Sequence, residues 1–204
     1  MPKHLIWDFD GTMYDTYPQM TEALLAALRG YGRTADAREA YALIKKTLFT
    51  AVTVYAERFG LPPDALMAAF RARHAQQGGF PPMPGLRACL AQTARLGCRH
   101  YLFTHRDRRA VEQMAADGLL PYFTECVTRE DGFADKPSPE AVLHLMDVHG
   151  FTAKGAYMIG DRDIDIGAGH AAGVAGVLYD PGGFYPELKA EHRICDLREI
   201  PALV

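Results

Sequence analysis

The chain has 204 residues, of which 49% are hydrophobic and 23% are charged, so its composition is that of a globular protein rather than of a disordered, collagenous or fibrous one. Its formal charge of −3 argues against a dedicated nucleic-acid binder, and no apolar run approaches the roughly 18 residues of a membrane-spanning helix. The four cysteines form no CxxC pair and no metal-binding spacing, which predicts reduced thiols in a cytoplasmic protein.

The first predicted element is a short buried strand, HLIWDF at His4–Phe9, whose apolar run ends in an acid followed by a glycine. From Pro18 to about His74, apolar residues recur at helical spacing, and glycines and prolines separate the predicted helices. The stretch QQGGFPPMPG at Gln76–Gly85 is typical of a linker. A group of helices is therefore expected to follow the first strand.

After this linker, predicted helices and strands alternate. The predicted helices are residues 85–96, 106–117, 139–149 with Ser138 as N-cap, and 164–172, and the predicted strands are 100–104, 125–128, 156–161 and 174–178. This alternation predicts an α/β protein with a Rossmann-like parallel sheet that is covered on both faces. We expect a core formed by residues 1–14 and 85–204, and a small all-helical domain, residues 15–84, inserted after the first strand.

Acidic residues concentrate outside the helical insert, since residues 14–84 carry a net charge of +2 and the remainder −5. In open α/β sheets, ligands bind beyond the carboxyl ends of the strands. Asp8 and Asp10 end the first strand two residues apart, so both side chains can face one way. Gly11 allows a tight turn in which the amides of Gly11 and Thr12 can point at an anion. Two adjacent buried carboxylates repel each other, so they need a cation or a shared proton. The alternative interpretation of this motif is structural, a strand-ending Asp followed by an Asp-Gly turn.

Three further motifs fall at predicted strand ends or helix starts, and each also allows a structural interpretation. Asp161 and Asp165 in GDRDID can supply hard oxygen ligands to a cation, or can stabilise the start of a helix through its dipole. The hydroxyl of Thr104 and the amide of His105 can bind a phosphoryl oxygen, or Thr104 can cap the next helix. Lys136 in DKPSPE can neutralise the carboxylates and bind phosphate, or can be a surface lysine.

Together, the order and spacing of the four motifs resemble the haloacid dehalogenase superfamily of phosphotransferases. The matching motifs are DFDGT (Asp8–Thr12), FTH (Phe103–His105), DKPSP (Asp135–Pro139) and GDRDID (Gly160–Asp165). The resemblance covers essentially the whole chain, and the helical insert is similar to the C1 cap of the phosphoglycolate phosphatase-like members of subfamily I.

The resemblance implies a role for each matching residue. Asp8 would be the nucleophile that forms an aspartyl phosphate, and Asp10 would be the general acid for the leaving alcohol and then the base for water. Thr104 and Lys136 would complete the catalytic set by holding phosphoryl oxygens, and Asp165 would orient bound water or the lysine. The expected Mg²⁺ ligands are Asp8, Asp10 (through its backbone carbonyl), Asp161 and Asp165. The expected phosphate ligands are Gly11, Thr12, Thr104, His105 and Lys136.

The presence of Asp10 argues against the dehalogenase branch, which typically lacks this second acid, and against the phosphonatase branch, which typically has a small residue there. The expected activity is Mg²⁺-dependent hydrolysis of a small phosphomonoester through an aspartyl phosphate. A sugar-phosphate phosphomutase and a catalytically idle binding module on the same fold are the alternatives. The expected partner is a small-molecule phosphate ester, with no nucleic acid and no membrane, and the sequence does not indicate an oligomeric state.

The core motifs can hold only the phosphoryl group that all candidate substrates share, so substrate choice is expected to reside in the helical insert. Lys45 and Lys46 form a basic pair after an apolar helical stretch and are candidate contacts to an anionic or polyhydroxy substrate. Solvated lysines on a helix surface are the alternative. The joints at residues 13–18 and 76–85 flank the insert, and the second contains the Gly and Pro residues of a possible hinge.

Overall fold

The computed structural model describes residues 3–204 and contains a six-stranded parallel sheet. The strands are β1 His4–Trp7, β2 Arg99–Phe103, β3 Phe123–Val127, β4 Ala156–Gly160, β5 Ala175–Tyr179 and β6 His192–Ile194. They lie in the order β3-β2-β1-β4-β5-β6. All four residues of β1 are buried, as expected for a central strand that is covered on both faces. The predicted α/β class with a Rossmann-like parallel sheet is confirmed.

Eight α-helices accompany the sheet within the described residues. They are α1 Tyr17–Gly30, α2 Ala37–Lys46, α3 Leu48–Phe59, α4 Pro63–His74, α5 Leu86–Arg95, α6 Arg109–Ala116, α7 Glu140–His149 and α8 Asp163–Ala171. Short 3₁₀ turns occupy Leu120–Tyr122, Arg129–Asp131 and Leu197–Ala202. None of the helices between residues 3 and 204 is long and apolar enough to cross a membrane. All four cysteines are free thiols.

The chain divides into two compact units, one formed by residues 1–14 and 82–204 and the other by residues 15–81. Of the first segment, residues 1 and 2 lie outside the described residues. The second unit consists of α1 to α4 around its own apolar cluster, which includes Leu24, Leu28, Ile44, Tyr55 and Phe70. The sheet unit has a separate cluster, which includes Ile6, Tyr101, Phe103, Leu145 and Met158.

The boundary between the units differs from the expected one by three residues. The prediction assigned residues 82–84 to the helical insert, but they belong to the sheet unit. Pro82 forms a β-bridge with Tyr14, and the Met83 amide donates a 2.8 Å hydrogen bond to the Met13 carbonyl. These pairings tie the end of the linker to the segment that follows β1, which its composition did not reveal.

Two further predictions about local structure are wrong in detail, and one strand was missed. Helix α7 begins at Glu140, not Pro139, although the Ser138 hydroxyl still accepts the Glu140 amide at 3.4 Å. Helix α6 begins at Arg109, three residues later than expected, because residues 104–108 form a loop instead. Strand β6 was not predicted, since its three residues, His192–Ile194, are too short and too polar to give a strand pattern.

A buried polar network joins the central strand to its neighbours. The Trp7 indole N–H donates to His100 Nδ1 at 3.0 Å, so the neutral imidazole carries its proton on Nε2. Nε2 lies 3.2 Å from the Thr93 hydroxyl, which itself donates to the Cys89 carbonyl at 2.7 Å. The side-chain polar groups of Trp7, His100 and Thr93 all have hydrogen-bond partners, so their burial carries little desolvation penalty. Burial lowers the pKa of His100 to about 4.

This network predicts acid destabilisation. The unfolded chain binds a proton at this histidine near pH 6.5, whereas the folded protein does so only near pH 4. Unfolding therefore becomes easier as the pH falls through this window, by up to about 3 kcal/mol from His100. In urea titrations between pH 7 and pH 4, the free energy of unfolding of the wild type should fall with decreasing pH. In His100→Gln this fall should be smaller, by up to ~1.4 kcal/mol per pH unit, because glutamine takes up no proton. Parallel slopes in the two proteins would contradict the assignment.

Candidate active site

The site is assembled where three neighbouring strands end. Trp7 in β1 is in register with Leu102 in β2 and Ile159 in β4. The residues that directly follow these three strands are therefore brought to one edge of the sheet: Asp8 after β1, Thr104 after β2 and Asp161 after β4. All three are at most 2% exposed. The expectation that the motifs converge at the carboxyl ends of the strands is met by these positions.

A buried lysine lies at the centre of the site. Lys136 Nζ donates to Asp8 Oδ1 at 2.5 Å and to Asp165 Oδ1 at 2.8 Å, and its side chain is fully buried. Burial by itself lowers the pKa of Lys136, but the carboxylates of Asp165 and Asp8 outweigh it and raise that pKa. The lysine is therefore charged, and the surface interpretation of Lys136 is wrong.

The two carboxylates beside the lysine differ in their electrostatics. Burial and the charge of Asp165 raise the pKa of Asp8 to about 7. For Asp165, burial also acts to raise the pKa, but Lys136 and Arg162 lower it overall. The Arg162 amide donates to Asp165 Oδ2 at 3.1 Å, so both oxygens of this carboxylate are engaged. Asp165 is thus a fixed anion that holds the lysine, whereas Asp8 is the less satisfied acid.

The site residues fit a divalent cation. Carboxylate oxygens of Asp8, Asp161 and Asp165 lie within 4.8 Å of one another, and all three residues are buried. Asp8 Oδ2 is also buried and has no hydrogen-bond partner among the described residues. Three buried carboxylates near two positive charges, Lys136 and Arg162, keep an excess of negative charge, and hard oxygen donors of this kind suit Mg²⁺. Asp161 additionally accepts a 3.4 Å hydrogen bond from the Thr12 hydroxyl.

Gly160 explains how Asp165 reaches the site. A Cβ built on Gly160 would lie 2.1 Å from Asp165 Cβ, so no larger residue fits without displacing that carboxylate. The glycine ends β4 and lies next to Asp161, and α8 then returns Asp165 over it. The glycine of the GDRDID motif therefore serves close approach of the side chain that holds Lys136.

The fourth expected acid has a different partner. Asp10 does not belong to the carboxylate group, and its two oxygens accept hydrogen bonds from Arg106 Nε at 2.8 and 2.9 Å. Arg106 Nη2 also lies 2.7 Å from Asp10 Oδ1. The Asp10 carboxylate therefore lies outside the acidic cluster, and Arg106 compensates its charge. Sequence reasoning missed Arg106, since its place after a strand end gave no signal that it would face Asp10.

Two of the expected phosphate ligands are used by the fold itself. Gly11 has a φ of 74°, and its amide donates to the Tyr14 carbonyl at 2.8 Å, so this amide is not directed at an anion as expected. The Thr104 hydroxyl accepts the Arg106 amide at 3.1 Å, so it organises the loop after β2 and does not cap α6. Its hydroxyl hydrogen is still available to a ligand.

His105 holds the lysine segment in place. Its Nε2 accepts the backbone N–H of Lys136 at 2.8 Å. Burial and the nearby Lys136 charge lower the pKa of His105 to about 4, so the ring is neutral and its proton is on Nδ1. Asp135 lies 3.6 Å from the same nitrogen. The structure therefore assigns the His105 ring to the backbone of Lys136.

The lysine pair of the helical unit is split by the fold. Lys45 is 5% exposed, and its Nζ lies 5.2 Å from the centre of the Tyr17 ring. Lys46 is exposed, as the solvated interpretation expects. The following Thr47 accepts the Thr50 amide at 2.8 Å as the N-cap of α3. Of this pair, only Lys45 is therefore buried.

The fold and this site define a hydrolase of the haloacid dehalogenase type, and the chain belongs to the haloacid dehalogenase-like hydrolases, whose family pattern matches residues 2–173. A relative in Cupriavidus necator, named "phosphoglycolate phosphatase, plasmid", is 30% identical over 97% of this chain and 90% of its own. The phosphoglycolate phosphatase of Pseudomonas savastanoi pv. phaseolicola is 28% identical over 98% and 79% of the two chains.

Among solved structures, one described as a predicted phosphoglycolate phosphatase from Haemophilus somnus 129PT superposes with a TM-score of 0.83. It covers 99% of this chain and 97% of its own, at 19% identity. At this identity the likeness shows a shared fold. The family expected from the four motifs is confirmed.

The contact between His105 and Lys136 predicts a specific spectroscopic signal. An N–H···N hydrogen bond gives a scalar coupling between the two nitrogens, so the Lys136 amide should couple to Nε2 of His105 in ¹⁵N-labelled protein. His105→Phe should abolish the coupling and lower the free energy of unfolding by about 1–3 kcal/mol, because a buried donor loses its acceptor. His144→Phe is the control, since the His144 ring bonds a carboxylate and not an amide. Detection of a proton on Nε2 at neutral pH would refute the assigned tautomer.

Proposed function

We propose that this hydrolase cleaves a small phosphomonoester with the help of Mg²⁺ and through an aspartyl phosphate on Asp8. The observation that supports this most directly is the buried, unpartnered Asp8 Oδ2, whose companion oxygen is held by Lys136. One oxygen is thus fixed by a cation while the other is presented without a competing donor. That is the arrangement a carboxylate needs to act as a nucleophile.

Charge repulsion is the main obstacle to attack on an anionic phosphate by a carboxylate. Lys136 holds Asp8 in position and supplies a positive charge for the phosphoryl oxygens, and Asp165 keeps that ammonium in place. Asp8, Asp161, Asp165 and the Asp10 carbonyl would hold Mg²⁺, which when bound neutralises further charge on the phosphoryl group. The Thr104 hydroxyl can donate to one of its oxygens.

In the first transfer, Asp8 Oδ2 forms a bond to phosphorus while the bond from phosphorus to the leaving oxygen breaks. Asp10 gives a proton to that oxygen, and the alcohol departs. In the second transfer, Asp10 takes a proton from a water molecule, whose oxygen attacks the phosphoryl group. The aspartyl–phosphorus bond then breaks, so that inorganic phosphate is released and Asp8 is regenerated. Splitting the reaction in this way replaces one difficult step by two easier ones.

The substrate class we propose is a phosphomonoester of a small hydroxy acid, of which phosphoglycolate is the simplest example. This proposal rests on relatives that match almost the whole chain and are named phosphoglycolate phosphatases. The partner is then a small metabolite and not a nucleic acid, and the proposed location is the cytoplasm, where such metabolites occur.

Phosphate release from phosphoglycolate should require added Mg²⁺ and stop when EDTA removes it. Asp8→Asn should lower turnover by more than ~10³-fold, because the amide cannot act as the nucleophile. Circular dichroism of this variant should match the wild type, since Asn still accepts a hydrogen bond from Lys136. Asp107→Asn is the matched control, as Asp107 pairs with the exposed Arg109 and should leave turnover intact.

The same assay separates the alternative activities. Isomerisation of a sugar phosphate without release of inorganic phosphate would show that the protein is a phosphomutase and not a hydrolase. Substantial activity of Asp8→Asn would show that Asp8 is not the nucleophile. Absence of turnover with phosphoglycolate, with p-nitrophenyl phosphate and with sugar phosphates would favour the idle binding module.

We further propose that the helical unit, residues 15–81, acts as the cap and that Lys45 contributes to substrate choice. Lys45 rather than Lys46 is supported because Lys45 is a buried residue whose ammonium lies beside an aromatic ring, whereas Lys46 is exposed. A buried ammonium is stabilised by polar groups or by the face of an aromatic ring. Tyr17 supplies part of that stabilisation through its ring face.

Lys45→Met keeps the length of the side chain and removes the charge. It should lower kcat/KM for phosphoglycolate by about 10-fold or more, which corresponds to the free energy of a hydrogen bond to a charged group. The decrease in kcat/KM for p-nitrophenyl phosphate should be much smaller. Lys46→Met, the matched control one residue away, should change neither. Equal losses with both substrates, together with a reduced free energy of unfolding, would assign Lys45 to the stability of the helical unit.

A further inference from the structure

We propose that Arg106 recognises a carboxylate on the leaving group of the substrate, and that Asp10 occupies this carboxylate site in the structure described here. The proposal rests on the proposed function, because it assigns a residue to the hydroxy-acid part of the phosphomonoester. It adds a specificity-determining residue that no motif of the chain indicated.

The contact between Arg106 and Asp10 has the geometry of carboxylate recognition. Nε donates to both oxygens of Asp10, at 2.8 and 2.9 Å, and Nη2 lies 2.7 Å from Oδ1. Arginine binds planar carboxylates through such a fork far better than a point charge does. Both side chains are about a fifth exposed, so the pair lies at the accessible margin of the site.

The backbone of Arg106 is anchored while its guanidinium is at the margin. Its amide donates to the Thr104 hydroxyl at 3.1 Å, and its carbonyl accepts the Arg129 amide at 2.9 Å. The guanidinium carbon lies 5.5 Å from the centre of the Phe9 ring, beside Asp10 in the sequence. An arginine held in this way can exchange its carboxylate partner without any movement of the main chain.

The position of Asp10 connects this fork to the substrate. In the proposed reaction Asp10 lies at the leaving oxygen, and in a 2-hydroxy acid the carboxylate is one carbon away from that oxygen. A guanidinium in contact with Asp10 is therefore within reach of that carboxylate. Exchange of one carboxylate for another costs the guanidinium little, whereas an uncharged leaving group offers it no replacement. The exchange also leaves Asp10 free to face the leaving oxygen.

Two arginines close to Arg106 in the sequence do not fit this role. Arg108 pairs with Asp131 and Arg109 pairs with Asp107, and both arginine side chains are at least half exposed. Neither contacts a residue that the proposed mechanism uses. Arg109 therefore provides a matched control, because it has the same charge, lies three residues further along the chain and has a carboxylate partner of its own.

The test compares two esters that differ in the carboxylate, phosphoglycolate and ethyl phosphate. Wild-type protein and Arg109→Gln should prefer phosphoglycolate in kcat/KM. In Arg106→Gln the ratio of the two kcat/KM values should fall by about 10- to 100-fold, the scale of a lost charged hydrogen bond. Arg106→Lys should fall between them, because it keeps the charge but loses the fork. If the role of Arg106 were purely structural, Arg106→Gln would lower kcat/KM for both substrates alike and leave the ratio unchanged.

A binding arm needs no turnover and separates this inference from the proposed function. Calorimetry with Mg²⁺ would compare 3-phosphonopropionate, in which a methylene replaces the bridging oxygen of phosphoglycolate, with propylphosphonate, which lacks the carboxylate. A preference for 3-phosphonopropionate that Arg106→Gln abolishes supports the inference even if the protein hydrolyses no ester, in which case the proposed function alone fails. No preference in the wild type, or an equal preference in Arg106→Gln, overturns the inference whether or not esters are hydrolysed.

Discussion

The ammonium of Lys136, buried between Asp8 and Asp165, is the interaction on which the site depends. Buried carboxylates at the carboxyl edge of a parallel sheet repel one another strongly, and the positive charge of Lys136 offsets this repulsion. The surrounding structure serves to hold it. Gly160 is small enough to let Asp165 approach, and the His105 ring fixes the backbone from which the lysine extends. As a result, Lys136 binds one oxygen of Asp8, and the other oxygen has no hydrogen-bond partner among the described residues.

Rigidity of the central strand complements this electrostatic arrangement. β1 carries Asp8 directly after Trp7, and the Trp7 indole is tied through His100 and Thr93 to the carbonyl of Cys89 in α5. A strand fixed in this way on both its backbone and its side chains limits the movement of the residue that follows it. Catalysis by positioning and charge, as proposed here, requires that limit, since it relies on groups that are in place before the substrate arrives.

The sequence allowed the family, the sheet and the strand-end placement of Asp8, Thr104 and Asp161 to be predicted, because apolar runs and their terminating residues define backbone positions. It could not predict which partner a side chain takes once it is there. Asp10 and Asp8 are two residues apart on one strand end, yet one pairs with an arginine and the other with a lysine. Gly11 was predicted to offer its amide to an anion, but the turn that the glycine permits uses that amide itself. Such choices depend on rotamers and long-range pairings that spacing does not encode.

The two cations of the site differ in a way that suits different tasks. Lys136 is a compact, buried charge held by two carboxylates of the chain, and it fits the phosphoryl group that every phosphomonoester shares. Arg106 is a planar fork at the accessible margin, held for the present by a carboxylate of the same shape as a substrate group. A buried charge cannot change partners without a large desolvation cost, whereas a marginal one can. Recognition of the variable part of a substrate is therefore expected at the arginine, and the chemistry common to all substrates at the lysine.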